Sequence, residues 1–293
     1  MNISSKRQIP VVREAQGLAE WRNTLVAHDQ RPLIGFVPTM GVLHEGHLSL
    51  IREAKQCAQY VVVSLFVNPT QFNHLKDFET YPRDETGDLL VAMQAGADLI
   101  FIPTPEIIYP NGAETWVNVN LLGDHLCGAT RPNHFQGVCT VVTALFNLVQ
   151  CQLAVFGEKD YQQLAIIRRM THDLHLPVQI IGIPTYREVS GLAMSSRNER
   201  LSTPARSKAA SIYQGLCAAQ TVWREGARQL AFLEAVVRQA LPDVAVVDYL
   251  SFCDPHTLEP LEALNEHETI LLAIACFIEE VRLIDNVILG RSI

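Results

Sequence analysis

The feature that most constrains the fold is an alternation through the first 185 residues. Short, wholly apolar runs rich in β-branched residues end at turn signals, and stretches with helical spacing follow them. Leu33 to Val37 reads as a buried strand, broken at Pro38-Thr39-Met40-Gly41. A helix follows from about Glu45 to Ala58, with Leu48, Ile51, Ala54 and Cys57 roughly on one face. Tyr60 to Val67 is the next strand, stopped at Asn68-Pro69. The pattern then predicts a helix from about Asp84 to Gln94, a strand from Asp98 to Ile102 and a helix from Gly137 to Gln150. A strand at Leu153 to Phe156, a helix at Tyr161 to Leu174 and a strand at Val178 to Ile183 complete the series.

A strand apolar on both faces must be covered on both faces, and strands separated by helices are joined by crossovers. The pattern therefore predicts a parallel sheet between two helical layers. Right-handed crossovers make it a doubly wound, Rossmann-like α/β sheet, which takes ligands at the carboxyl ends of its strands. The breaks after Val37, Val67 and Phe156 are the places to look for a site. After Ile183 the character changes. Ser202-Thr203-Pro204 is a helix start, with a capping hydroxyl and an early proline. Helical stretches follow at about 204–223 and 226–240, then strand-like runs at Val244 to Cys253, Thr269 to Ile278 and Val281 to Leu289. The expectation is a nucleotide-binding domain over 1–185 and a smaller α+β domain over 186–293.

Apolar residues make up 48% of the 293 and charged residues 18%, enough for sizeable cores. A net charge of -8 argues against a broad nucleic-acid or anionic-membrane surface, but not against a small anion held by local charges. Seven cysteines, an odd number with no Cys-x-x-Cys, make a disulfide framework or zinc knuckle improbable. The opening MNISSKRQIP lacks an apolar leader, and no run approaches the ~18 apolar residues of a membrane span, so the cytoplasm is expected.

The sharpest constellation is Met40-Gly41-Val42-Leu43-His44-Glu45-Gly46-His47, between the first strand and its helix. A helix start presents free N–H groups and positive dipole charge, which receive phosphate. Gly46 would let a triphosphate approach the backbone. His44 and His47, three apart, reach the same side of the first turn. Two imidazoles there can neutralise charge on a phosphate under attack and protonate a leaving oxygen. Two solvent-facing histidines at a cap is the plainer reading, and the strand–turn–helix context favours the nucleotide site. His172-x-x-His175 has the same spacing but neither glycine nor preceding strand, and is assigned to a helix end. The absence of Gly-x-Gly-x-x-Gly and of Gly-x-x-x-x-Gly-Lys-Ser/Thr disfavours a dinucleotide fingerprint and a P-loop.

Other segments are weaker. Gln71, after Asn68-Pro69-Thr70, would present an amide over the crevice, although Asn-Pro is commonly only a turn. Gly157-Glu158-Lys159-Asp160, with Gln163 one turn on, offers Lys159 to phosphate and Asp160 to ribose, and taken alone is more simply a charged helix start. Met194-Ser195-Ser196-Arg197 suits the β- and γ-phosphates, Arg binding bidentately, though Ser-Ser-Arg is commonly surface loop. Arg131-Pro132-Asn133-His134-Phe135 reads as a lid or a connection. Phe101, Phe146 and Phe156 should fill the core.

Taken in order, PTMGVLHEGH, FVNPTQF, YPR at 81–83, RPNHFQGV, VFGEKDYQQL, GLAMSSRN and RLIDN at 282–286 resemble the pantoate–β-alanine ligase family over nearly the whole chain. The resemblance implies a two-step ligation: the pantoate carboxylate attacks the α-phosphate of ATP, and β-alanine then displaces AMP. It implies that Met40 to His47 hold ATP, with His47 the proton donor and His44 its partner. It assigns pantoate to Gln71 and Gln163, β-alanine also to Gln71, and nucleotide to Gly157, Glu158, Lys159, Asp160 and Tyr186. Met194, Ser195, Ser196 and Arg197 would close over the triphosphate. Mg²⁺ dependence, with ligands that the sequence does not reveal, and a homodimer are further implications. The chain departs from the familiar pattern at Tyr186, Ser190, Cys127, Asn133 and Ile278-Glu279-Glu280-Val281. Competing readings are a transferase acting on a phosphate monoester, a non-catalytic ATP-binding module, and a cysteine- or metal-based redox protein.

Overall fold

The computed structural model describes residues 9–27, 32–73, 75–264 and 267–291. Met1 to Gln8, most of the stretch read as lacking a leader, lie outside the described residues. The chain divides into two compact units. One comprises Met1–Asn118, Asn133–Phe156 and Ile167–Ile183, and the other Val119–Pro132, Gly157–Ile166 and Pro184–Ile293. The elements run β1 (Val11–Val12), α1 (Ala15–Val26), β2 (Ile34–Thr39), α2 (Glu45–Cys57), β3 (Tyr60–Leu65), α3 (Leu75–Glu79), α4 (Glu85–Ala95) and β4 (Leu99–Phe101). They continue with α5 (Pro105–Ile108), α6 (Leu126–Thr130), α7 (His134–Val149), β5 (Leu153–Gly157), α8 (Tyr161–Asp173) and β6 (Gln179–Ile183). Then come α9 (Thr203–Ala209), α10 (Ser211–Arg224), α11 (Leu230–Ala240), β7 (Val246–Cys253), β8 (Ile270–Ile278) and β9 (Val281–Leu289).

The first unit is built on a six-stranded sheet ordered β1-β4-β3-β2-β5-β6. The pairings β1·β4, β4·β3, β3·β2 and β2·β5 are parallel. This is the Rossmann-like sheet that the apolar runs predicted. The inner strands carry Val37, Val61, Val63, Ile100 and Val155 into one core, against which α2 lays Leu48, Ile51 and Ala54. Phe36 meets Phe146 edge-on, and Phe146 meets Phe156, so the aromatic residues read as core are buried, Phe101 with them.

Strand β2 runs two residues further than expected, through Pro38 and Thr39. Proline is tolerated there because β2 pairs with β5 only at Gly35 and Phe36, so no donor is removed from that ladder. Thr39 Oγ1 then donates to the carbonyl of Ser64 at 2.7 Å, tying the ends of β2 and β3 together.

The second unit contains the antiparallel sheet β7-β8-β9. Its core joins Ile270, Leu272, Ile274 and Cys276 of β8 to Ile212, Leu216 and Trp223 of α10 and to Leu233 and Val237 of α11. Ser202 caps α9 as read from sequence, its side chain accepting from Ala205 N–H. The single helix expected over 204–223 is two, α9 and α10, meeting at Ala210. Among the described residues no helix is long and apolar enough to cross a membrane.

Candidate functional site

In the first unit, the chain leaves β2 through a turn in which Gly41 and Val42 both adopt left-handed backbone, with φ of 84° and 53°. Gly41 N–H donates to Thr39 Oγ1 at 3.2 Å. Val42 and Leu43 N–H donate to the two carboxylate oxygens of Asp88, at 2.8 and 2.6 Å. The turn delivers His44 in extended conformation as the N-cap of α2. Its carbonyl accepts from His47 N–H at 2.7 Å and Leu48 N–H at 3.0 Å. The amides of Glu45 and Gly46, the first two of the helix, have no carbonyl one turn back to accept from them.

His47 reaches back to the cap. Its Nδ1 accepts from His44 N–H at 3.3 Å, and the two rings stack with centroids 4.1 Å apart. A ring nitrogen that accepts carries no proton, so the neutral His47 ring bears its proton on Nε2, where it can be donated. The first helical turn thus fixes the tautomer of the imidazole assigned as proton donor.

Gln71 closes the short 3-10 turn Pro69–Gln71 beyond β3. Its Oε1 accepts from Asn68 Nδ2 at 3.1 Å, its Nε2 points at Met40 Sδ at 3.0 Å, and its carbonyl meets His134 Nδ1 at 2.8 Å. Asn68, 1% exposed, also caps the turn, accepting from Thr70 N–H, Thr70 Oγ1 and Tyr109 OH, and it donates to the Gly137 carbonyl. Gly137 lets α7 approach, since a Cβ there would sit 2.7–2.9 Å from Thr70. Met40, Gln71, His44 and His47 are therefore all held in one unit, Met40 and Gln71 by each other beyond β2 and β3, and the two histidines at the N-cap of α2.

In the second unit, Glu158–Asp160 form a 3-10 turn pinned to β9, where Asn286 Nδ2 donates to the carbonyls of Glu158 and Lys159 at 3.0 and 2.9 Å. Glu158 itself is occupied by Arg291. Gln163 is half-buried on α8. Its neighbour Gln162 is buried and structural, accepting from Cys127 N–H and donating to the carbonyls of Leu122 and His125. Tyr186 begins a tight hairpin whose other arm carries Met194, whose N–H donates to the Tyr186 carbonyl at 3.0 Å. Tyr186 is 40% exposed.

Arg187 anchors that hairpin, with a bidentate pair to Asp285 at 2.6 and 2.9 Å and its guanidinium 3.5 Å above the Tyr213 ring. Ser195 caps the turn Ser196–Arg200 by accepting from Arg197 N–H. A cavity in this unit is lined by Lys159, Ser195, Arg197, Arg282 and Asp285. Burial, reinforced by repulsion from Arg197 and Arg282, lowers the pKa of Arg131, and Arg282 is itself paired with Asp248 at 2.7 Å. Lys159 and Arg197 on the lining of one cavity suit an anion.

Four of the departures from the familiar pattern, Asn133, Glu279, Cys127 and Ser190, have local settings. Asn133 takes the left-handed conformation at the N-cap of α7, which asparagine tolerates better than most side chains. Glu279 caps α9 from outside, accepting from both Ser202 N–H and Ser202 Oγ. Cys127 Sγ lies 3.3 Å from Tyr249 OH and 3.5 Å from Arg282. Ser190 Oγ accepts from Leu192 N–H inside the hairpin. His172, set aside as a helix-end residue, is exposed beside Asp173. Sequence reasoning missed Asn68, Asp88, Asp285 and Asn286, four buried polar residues that position neighbours and need touch no ligand.

A Rossmann-like sheet whose strand β2 leads into paired imidazoles at the start of α2, with Lys159 and Arg197 lining a cavity elsewhere in the chain, marks a nucleotide-using α/β enzyme. Comparison makes this specific. The family model for pantoate-beta-alanine ligase matches residues 7–288. A pantothenate synthetase from Geobacter sulfurreducens is 51% identical over 261 residues, covering 88% of this chain and 92% of that one. One from Myxococcus xanthus is 47% identical over 282 residues, 96% of each. The crystal structure of pantothenate synthetase from Thermus thermophilus superposes with a TM-score of 0.88 at 43% identity, covering 95% of this chain and 99% of that one. That of pantoate-beta-alanine ligase from Francisella tularensis, complexed with beta-gamma ATP and beta-alanine, gives 0.79 at 34%, covering 97% and 99%. The chain belongs to the pantoate–β-alanine ligase family, and it is an enzyme of the ligase class.

Proposed function

We propose that the start of α2 is where this ligase activates its acid, with His47 as proton donor and His44 as its stacked partner. The enzyme joins pantoate to β-alanine at the expense of ATP, giving pantothenate. A carboxylate cannot be turned into an amide directly, because oxide is a poor leaving group. Adenylation solves this. A pantoate carboxylate oxygen attacks the α-phosphorus, the bond to the β-phosphate breaks, and pyrophosphate leaves. The β-alanine nitrogen then attacks the acyl carbon of the adenylate, AMP departs, and the nitrogen gives up a proton.

The observation that carries this reading is the bond from His44 N–H to His47 Nδ1, which leaves Nε2–H as a donor at the end of β2. A positioned donor there stabilises charge developing on phosphate. Met40, Gly41, Val42, Leu43, Glu45 and Gly46 supply the backbone of the same turn. Gln71, steadied by Asn68 and Met40, would hold pantoate in line with the α-phosphate, a contribution from proximity, and would meet β-alanine later. In the second unit, Gly157, Glu158, Lys159 and Asp160 would take the nucleotide beside Tyr186, and Gln163 would take pantoate. Met194, Ser195, Ser196 and Arg197 would grip the β- and γ-phosphates. A smaller domain over 186–293 that closes on the ATP site would exclude water and protect the mixed anhydride.

Mg²⁺ enters as the companion of ATP. Among the described residues no group of three or more His, Cys, Asp or Glu is placed to hold a metal ion. The described residues do not fit a protein-built cage, and the ion would arrive with the triphosphate. A cytoplasmic homodimer is the proposed working form, and a monomeric mass in light scattering would contradict it. The direct test is exchange of labelled pyrophosphate into ATP without β-alanine. Exchange that requires pantoate supports the adenylate, and exchange indifferent to pantoate overturns it.

A further inference from the structure

We propose that Asp88 is a positioning residue for ATP, holding the turn Gly41-Val42-Leu43 in the shape that sets the start of α2. The proposal rests on the reading of that turn as the triphosphate site. Asp88 lies in the first turn of α4 and is 5% exposed. Its two oxygens accept two consecutive amides from a segment more than forty residues earlier, Val42 N–H at 2.8 Å on Oδ2 and Leu43 N–H at 2.6 Å on Oδ1. An acid early in a helix ordinarily serves its own helix, by capping or by complementing the dipole. Here Asp84 does the capping, accepting from Gly87 N–H at 3.0 Å. Asp88 is thereby released to reach across to the turn.

The turn needs an external hold. Val42 is β-branched, and at a φ of 53° it occupies a region that such residues avoid. A conformation of this kind persists only where its surroundings impose it. Two charge-assisted bonds to adjacent amides do that, and only a side chain with two acceptor oxygens can make both. Gly41 completes the fit, since a Cβ at that position would come 2.9 Å from Asp88 Oδ2. The carboxylate thus sets the direction in which His44, Glu45 and Gly46 leave the turn.

The test compares Asp88→Asn and Asp88→Ala with Ala92→Gly, a buried change one turn further along the same helix. Two readouts are used: the rise in Tm produced by ATP, and kcat/KM for ATP in pantoate-dependent pyrophosphate exchange. A misplaced site loses roughly 100-fold in rate, expected for Asp88→Ala, with a smaller loss for Asp88→Asn, which keeps one acceptor. Both variants should lose most of the ATP-induced rise in Tm. Ala92→Gly should lower the Tm of the free protein but keep the ATP-induced rise and stay within a few-fold in kcat/KM. If Asp88→Ala does not fold, Asp88→Asn carries the comparison. The proposal is overturned if the folded Asp88 variants keep the ATP response, or if Ala92→Gly loses as much at equal destabilisation. His47→Ala run alongside separates the two ideas. Undiminished exchange by that variant sinks the site reading itself, whereas its loss alongside Asp88 variants that behave like Ala92→Gly sinks only the positioning role.

Discussion

Replacing Asn68 with alanine should uncouple the Gln71 turn from the sheet and injure stability and pantoate binding together. The buried amide makes five hydrogen bonds: it accepts from Thr70 N–H at 3.3 Å, Thr70 Oγ1 at 2.9 Å and Tyr109 OH at 2.7 Å, and donates to Gln71 Oε1 at 3.1 Å and Gly137 O at 3.2 Å. These losses are unequal. Tyr109 OH keeps Thr70 Oγ1 as a partner at 2.9 Å, and Gly137 O remains inside α7. Thr70 N–H loses its cap, worth about 1 kcal/mol. Losing the other contacts at a buried site brings the total to roughly 3 kcal/mol. Gln71 also loses the partner that orients its oxygen, so KM for pantoate should rise about tenfold or more, the scale of one hydrogen bond to a charged group. Urea denaturation and steady-state kinetics at saturating ATP and β-alanine measure the two effects. Wild-type stability with an unchanged pantoate KM would refute the claim that Asn68 organises the turn.

Other outcomes follow from the same structure. His47→Ala should lower adenylation at least ~100-fold, the usual scale for losing a positioned acid, and near-normal turnover by the folded variant would remove His47 from the reaction. Arg187→Ala leaves Asp285, 3% exposed at its side chain, without its bidentate partner. Stability should fall by about 3–5 kcal/mol in denaturant titration, and a loss below ~1 kcal/mol would show that the pair is not what anchors the hairpin. Burial works to raise the carboxyl pKa of Glu188, but bonds from Arg206 and Asn198 outweigh it and hold the group below its ordinary range. A depressed acid contributes stability that is present above its unfolded value and lost as pH falls through the folded one. Glu188→Gln should therefore be less acid-sensitive below about pH 4 in thermal melts, and an identical acid limb would contradict this.

The sequence made the sheet legible where strands were apolar throughout. Tyr60–Leu65 lies between two neighbours, covered on both faces, and its run of valines says so. The edge was not legible. Strand β1 is two residues long, and α1 buries only Leu18 and Leu25, too sparse a stripe to read as a period. The placing of the histidine pair was legible because its context is local, a strand end, a glycine and a helix start within eight residues. Asp88 and Asn68 were not, for the opposite reason. An acid in a first turn and an asparagine before proline have ordinary local explanations, and what distinguishes them is a partner far away in the chain. Arg187 and Asp285, 98 residues apart, are the same case.

Attack by the acid at the α-phosphate transfers one carboxylate oxygen to the nucleotide, and an oxygen label follows that event directly. Pantoate carrying heavy oxygen in its carboxylate, turned over once with ATP and β-alanine, should place one labelled oxygen in the AMP released and none in pyrophosphate. Label in pyrophosphate or inorganic phosphate, or AMP free of label, would mean that the acid is activated elsewhere on the triphosphate or not at all, and the chemistry assigned to the start of α2 would be wrong.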